Sequence, residues 1–210
     1  MIGKGFTMEK RIKELMANYR PKPLGQQKEY AVFLPLVWQN KEWHILFEVR
    51  GQNISQPGEV SFPGGRLEPG ETFAEAAVRE CTEELRVSPE QIDIWGEIDY
   101  IVQAKRTIHC FVGQLHCDNW QELQYNEEVD HLFTVPLIEI LNKEPIYYEL
   151  PHRIEEGSHF PFERIRNGEK YAFHHQSSKI PFYEGFEETI WGLTAQFTDC
   201  FSRILKNESN

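Results

Sequence analysis

Glu80, Glu83 and Glu84 stand three and four residues apart in "AVRECTEELRV", a spacing that puts three carboxylates on one face of a helix. Each like-charge pair at that spacing costs an isolated helix about 0.2–0.5 kcal/mol. Within the helix only Arg79, placed to meet Glu75 or Glu83, offsets the repulsion. A bound dication would offset it more fully. Clustered hard oxygen ligands suit Mg²⁺ or Mn²⁺, whose octahedron is completed by water and by substrate phosphates. The competing reading of an acidic run is a solvated helix face.

The elements around the glutamates favour the first reading. Thr72 followed by Glu75 is a capping box, so the helix begins near Phe73. Ala74, Val78, Cys81 and Leu85 fall at i, i+4, i+7 and i+11 and predict one apolar stripe facing a core. Upstream, "VSFPGG" places Gly64 and Gly65 where backbone can approach a ligand closely, and a second turn, "EPGE", leads into the helix.

Gly65, five residues, Glu71, seven residues and then "RECTEELRV" together resemble the Nudix box, the signature of hydrolases that cleave nucleoside diphosphates linked to another group. Arg86 departs from it, standing where the family has a glycine that would end the helix in the left-handed region. The resemblance implies Glu80 and Glu84 as principal ligands of Mg²⁺ or Mn²⁺, with Glu83 beside them. It implies that Arg79 orients a glutamate and that Glu71 supports the loop or binds metal through water. Hydrolysis also needs a carboxylate to take the proton of the attacking water. Glu80 or Glu83 would serve, as would Glu127 or Glu128 in the later run "YNEEVDHLFTVPL", which reads equally as an acidic turn before a strand.

The upstream run "ILFEVRGQNISQPGEVSFPGG" is similar to the extra motif of the coenzyme A pyrophosphatase branch, through Arg50, Gly51, Gly58, Phe62, Pro63, Gly64 and Gly65. The tail "KIPFYEGFEETIWGLTAQF" is similar to the same branch. Relative to that branch the loop from Arg50 to Gly58 is one residue short, and Ile54 and Ser55 stand where a second basic residue is usual. This resemblance implies cleavage of coenzyme A or its thioesters to adenosine 3′,5′-bisphosphate and a phosphopantetheine product. Arg50, Gly58, Gly64 and Gly65 are then the substrate-binding candidates, with Tyr125, Phe173, Phe182 and Tyr183 as aromatics that could line the pocket. Hydrolysis of ADP-ribose or another nucleoside diphosphate derivative is the alternative within the class, and a nucleotide sensor without turnover is the alternative outside it.

The whole chain bounds these readings. At 210 residues and 40% hydrophobic it can bury one substantial core. A net charge of −11 argues against a general nucleic-acid surface but not against a small anionic, nucleotide-like substrate met by local charge from Arg50, Arg66, Lys105 or Arg106. Nothing in the sequence resembles a membrane span or signal peptide, and four spaced cysteines are expected as free thiols, so a cytoplasmic protein is expected, with a homodimer left open. "HCFVGQLHC" spaces its ligands too far along a strand to share one zinc, and His174 and His175 have no partners at ligand spacing.

The expected order is a helix over 8–19, a hairpin of "YAVFLPLVW" and "EWHILFEVR", a short strand "VSF", and the acidic helix. Strands near "IDIWGEIDYIV", "TIHCFVGQL" and "HLFTV" follow, then a helix after Pro136 and a late hairpin within 147–173. A terminal helix carries the stripe Ile190, Leu193, Phe197, Phe201 and Ile204. An N-terminal helical extension over 1–28 and one hydrolase domain over 29–207 are expected. The fold class is α/β, the α/β/α sandwich with a mixed sheet that the Nudix resemblance implies.

Overall fold

The computed structural model describes residues 2–21, 24–25, 27–151, 159–171 and 177–207. Phe173, His174 and His175, and part of the expected late hairpin, lie outside them. Helix α1 spans Ile2–Asn18, and strands β1 (Lys28–Gln39) and β2 (Glu42–Arg50) follow as a hairpin. Its two-residue loop, Asn40 and Lys41, has both φ angles positive, as the tightest hairpin turns require. Next come β3 (Val60–Ser61), β4 (Gly64–Arg66), α2 (Phe73–Leu85), β5 (Ile92–Glu97), β6 (Ile101–Gln103), β7 (Arg106–Leu115), β8 (Val129–Pro136) and α3 (Leu137–Leu141). The chain continues through β9 (Ile146–Pro151), β10 (Ser177–Tyr183), β11 (Ile190–Trp191) and α4 (Gly192–Leu205).

The main sheet is mixed. β1 runs parallel to β7, from Lys28 opposite Arg106 to Leu36 opposite Gln114, while β2 pairs antiparallel with β1, β3 and β8. Alternation along β1 and β2 sorts side chains onto two cores. Ala31, Phe33, Val37 and Leu46 pack with Ala76, Ala77, Cys81 and Leu85 of α2. Leu34, Leu36, Ile45, Phe47 and Val49 pack on the other face with Ile140 of α3 and Ala195, Phe197 and Phe201 of α4. Helices therefore cover both faces, the expected α/β/α sandwich.

The buried arc of α2 differs from the predicted stripe. Cys81 and Leu85 are buried as expected, but Ala76, Ala77 and Glu84 join them while Ala74 and Val78 stay partly exposed. Small side chains let the helix lie close to the sheet, and a pattern that counts only apolar residues cannot register a buried glutamate. The helix ends with Arg86 at φ 50° and ψ 39°, the left-handed conformation expected of the family glycine. A side chain there costs about 1–2 kcal/mol. Arg86→Gly is therefore expected to stabilise the protein by about 1 kcal/mol, raising Tm by roughly 2–4 °C in a thermal melt.

The tail departs more. β9 pairs with β10, from Ile146 opposite Phe182 to Pro151 opposite Ser177, so the late hairpin within 147–173 is replaced by a second, three-stranded sheet closed by β11. Pro181 inside β10 masks it as a strand. Ile190 belongs to β11 rather than to the terminal helix, which starts at Gly192, and Ile204 is exposed. The apolar residues Met8, Ile12, Leu15 and Met16 of α1 are also exposed. Among the described residues no helix is long and apolar enough to cross a membrane, and Cys81, Cys110, Cys117 and Cys200 are free thiols.

Candidate active site

The turn between β3 and β4 brings backbone against the acidic helix. Gly64 N donates to Glu84 Oε2 at 2.8 Å. A Cβ added to Gly64 would stand 2.6 Å from Val32 Cα, and one added to Gly65 would run into the Glu80 carboxylate, 2.7 Å from its Oε2. Only glycine lets the turn lie against the β1 backbone at Gly64, whereas a side chain at Gly65 would displace the Glu80 carboxylate.

Arg79 organises the glutamates around it. Its guanidinium donates to both oxygens of Glu71 at 2.9 and 3.1 Å, to Glu80 Oε1 at 2.9 Å, to Glu83 Oε2 at 3.4 Å and to Arg66 O at 3.1 Å. Glu75, the other partner expected for Arg79, is instead engaged in the capping box with Thr72. Glu71 also accepts from Glu68 N at 2.7 Å, and the Arg79 bonds hold its carboxyl below the ordinary range. Glu71 thus ties the loop to Arg79 and lies outside the main cleft. Glu83, its side chain 57% exposed, lines a shallow groove with Ala74, Val78 and Pro89 instead.

Glu80, Glu84 and Glu128 line one cleft of about 660 Å³, together with Arg50, Arg66 and Arg106 and the apolar Ile180, Trp191 and Leu193. Glu128 reaches it through a pinned loop. Asn126 N donates to Glu84 O at 2.8 Å, Glu128 N to Asn126 Oδ1 at 2.8 Å and Gly51 N to Glu128 O at 2.7 Å. Arg50 is held by Ser55, its Nε donating to Ser55 O at 2.9 Å and its Nη2 to Ser55 Oγ at 3.3 Å. Ser55, noted in the sequence only for not being basic, is what fixes the arginine. Gly58 closes the same loop from outside the cleft, its N donating to Arg50 O at 2.8 Å with φ +77°. Lys105 and Glu127 do not line the cleft, and Tyr183 is wholly buried. Ile180 and Trp191 contribute where Tyr125 and Phe182 do not.

Sequence reasoning missed Glu48. It sits in "ILFEVR", on the α2-facing side of β2 with Leu46, and is only 2% exposed. The signal was present: one charged residue inside a strand buried on both faces. Ser61 Oγ donates to Glu48 Oε1 at 2.8 Å, while Oε2 is buried without a hydrogen-bond partner. Burial, opposed by the Ser61 bond and by the charge of Arg50, pushes the Glu48 carboxyl up to about 7. Burial and then the charge of Glu48 push Glu84, 3% exposed, up to about 10. Burial also raises Glu80, against the pull of Arg79.

Acids held in this way need positive charge to ionise together. Oxygen-only donors, an orphaned buried carboxylate oxygen and a solvent-connected cleft fit a hard dication. Among the described residues no three acidic, histidine or cysteine side chains are gathered as a complete metal-binding group.

The NUDIX domain family matches residues 28–156. Nudix hydrolase 3 of Caenorhabditis elegans is 36% identical over 118 residues, 54% of this chain, which spans about half (49%) of that protein. Peroxisomal coenzyme A diphosphatase NUDT7 of Mus musculus is 32% identical over 184 residues, 86% of this chain and 72% of that one. Among solved structures, a MutT/nudix family protein from Enterococcus faecalis superposes with a TM-score of 0.53 at 10% identity, covering 93% of this chain and 69% of that one, a likeness of fold. The glycine turn, the Arg79-ordered glutamates and the sandwich that holds them are thus those of a Nudix hydrolase, and the chain belongs to that family, in its coenzyme A pyrophosphatase-like branch.

Proposed function

We propose that this protein hydrolyses the pyrophosphate bond of coenzyme A or its derivatives, using Mg²⁺ or Mn²⁺, to adenosine 3′,5′-bisphosphate and a 4′-phosphopantetheine product. One observation carries the reading. A single cleft is lined by Glu80, Glu84 and Glu128, by Arg50, Arg66 and Arg106, and by the apolar Ile180, Trp191 and Leu193. Those arginines make no ion pair among the described residues, so their charge is available to an anionic ligand. Relationship over most of the chain to a coenzyme A diphosphatase supports the same substrate class.

Glu80 and Glu84 would hold the cation, which when bound neutralises phosphate oxygens and acidifies a water. Arg79 keeps Glu80 aimed at the Gly65 backbone, and the Gly64 N–H keeps Glu84 in place. Glu128, whose carboxylate has no partner among the described residues, takes the proton of the attacking water at its side-chain oxygen. Arg50, Arg66 and Arg106 bind the charged adenosine end, as guanidinium forks suit phosphate. Trp191, stacked on Phe182 at 5.5 Å and 17°, offers a flat apolar surface to the long arm or the base.

Product analysis tests this. With Mg²⁺ or Mn²⁺ present, CoA and acetyl-CoA are expected to yield adenosine 3′,5′-bisphosphate with kcat/KM at least about tenfold above that for AMP from ADP-ribose or NADH, a discrimination of about 1.4 kcal/mol. The reverse ranking would make it a hydrolase of other nucleoside diphosphate derivatives. Absence of turnover on all four would leave a binding domain.

A further inference from the structure

We propose that Glu48 is a further carboxylate of the cation site, its free Oε2 holding water bound to the divalent ion that Glu80 and Glu84 carry. The inference rests on the cation site argued above and extends it to a residue outside the Nudix box.

Three observations converge on it. Strand alternation turns Glu48 towards α2, on the side where Leu46 packs against Ala76, Ala77 and Cys81. Its register partner across the ladder is Ser61, which lines the cleft and spends its hydroxyl on Glu48 Oε1. That bond fixes the carboxylate and leaves Oε2 as a buried acceptor with no donor. Glu48 does not itself line the cleft, but its hydrogen-bond partner Ser61 does, together with Arg50, Glu80, Glu84 and Glu128. A buried carboxylate oxygen without a donor is costly unless something supplies one. An apolar residue would fill the same place in β2 without that cost. Water on a dication is a strong donor, and carboxylates that hold such water commonly set metal affinity by about 10- to 100-fold.

The test is Mn²⁺ binding to chelator-stripped full-length protein, followed by the loss of the free-ion EPR signal and without substrate or turnover. Glu48→Gln keeps the shape and the Ser61 bond, and Glu48→Met removes both oxygens at similar volume, so at least one folded variant is expected; melts without metal verify the fold. Both are expected to weaken Mn²⁺ binding by about 10- to 100-fold and to shrink the Mn²⁺-induced rise in Tm. A folded variant that binds Mn²⁺ within about twofold of the parent protein overturns the proposal. Glu84→Gln separates the two levels of the argument. If it too binds Mn²⁺ like the parent, the underlying cation site is wrong, whereas weakened Glu84→Gln beside an unaffected Glu48→Gln sinks the Glu48 role alone.

Discussion

Glu84→Gln is expected to lower kcat/KM for the pyrophosphate substrate by about 10³-fold, roughly 4 kcal/mol of transition-state stabilisation. Glutamine preserves the fold at this position, because an amide oxygen still accepts from Gly64 N, the bond that seats the side chain. What it removes is a formal charge in a place 3% exposed, where charge acts at short range in a poor dielectric. Glu80→Gln is expected to lose as much, since its carboxylate lies against the Gly65 backbone and is aimed by Arg79. Glu83→Gln, more than half exposed and facing another groove, should cost about tenfold or less. Steady-state kinetics on the three variants checks the ranking. A Glu84→Gln enzyme retaining more than about a tenth of parental kcat/KM would remove Glu84 from the chemistry.

Metal-free protein should lose stability as pH rises. Glu48 and Glu84 bind protons more tightly when folded than when unfolded, so between their ordinary value of 4.5 and their raised values the native state carries the more protons. Their stabilising protons are fully present below 4.5, and stability declines as pH climbs through about 7 for Glu48 and about 10 for Glu84. On the proposed cation site, divalent metal is expected to reverse the sign of the dependence, because it would replace protons on the same oxygens and bind more tightly as they leave. Thermal melts between pH 5 and pH 9, with chelator and with excess Mn²⁺, should diverge steadily. A chelated profile that stays flat would mean that these carboxyls titrate as ordinary surface acids.

Much of the site was legible because Nudix chemistry sits on contiguous sequence. The capping box, the glycine turn and the spacing of Arg79, Glu80 and Glu84 can each be read locally; the cap forms, the turn meets Glu84, and Arg79 bonds Glu80. Glu48 left only the trace of one acid inside an apolar strand; its neighbours come from pairing β2 with β3 and packing α2 above them, and no spacing along the chain encodes those. Glu83 could not be separated from the cleft glutamates by periodicity, which gives a face but not what lies opposite it. The second sheet escaped for a related reason. β9 and β10 are joined through a long intervening stretch, and Pro181 conceals the second strand.

The bond from Thr194 Oγ1 to Val60 O, at 2.8 Å, joins residues 134 positions apart and seals α4 onto the strand that carries Ser61. The wall of the cleft contributed by Trp191, Leu193 and Phe197 is therefore made of chain that emerges from the ribosome long after the acidic helix. Until then Phe47, Phe62 and Phe133, stacked on one another at 5.1 and 5.2 Å, form a greasy face without its cover. Such late, long-range closure slows folding and leaves a nascent intermediate prone to association. The glutamate helix can be in place early, but the cleft gains its full wall only when α4 docks, so the nascent chain presents its acidic face before that cleft is complete.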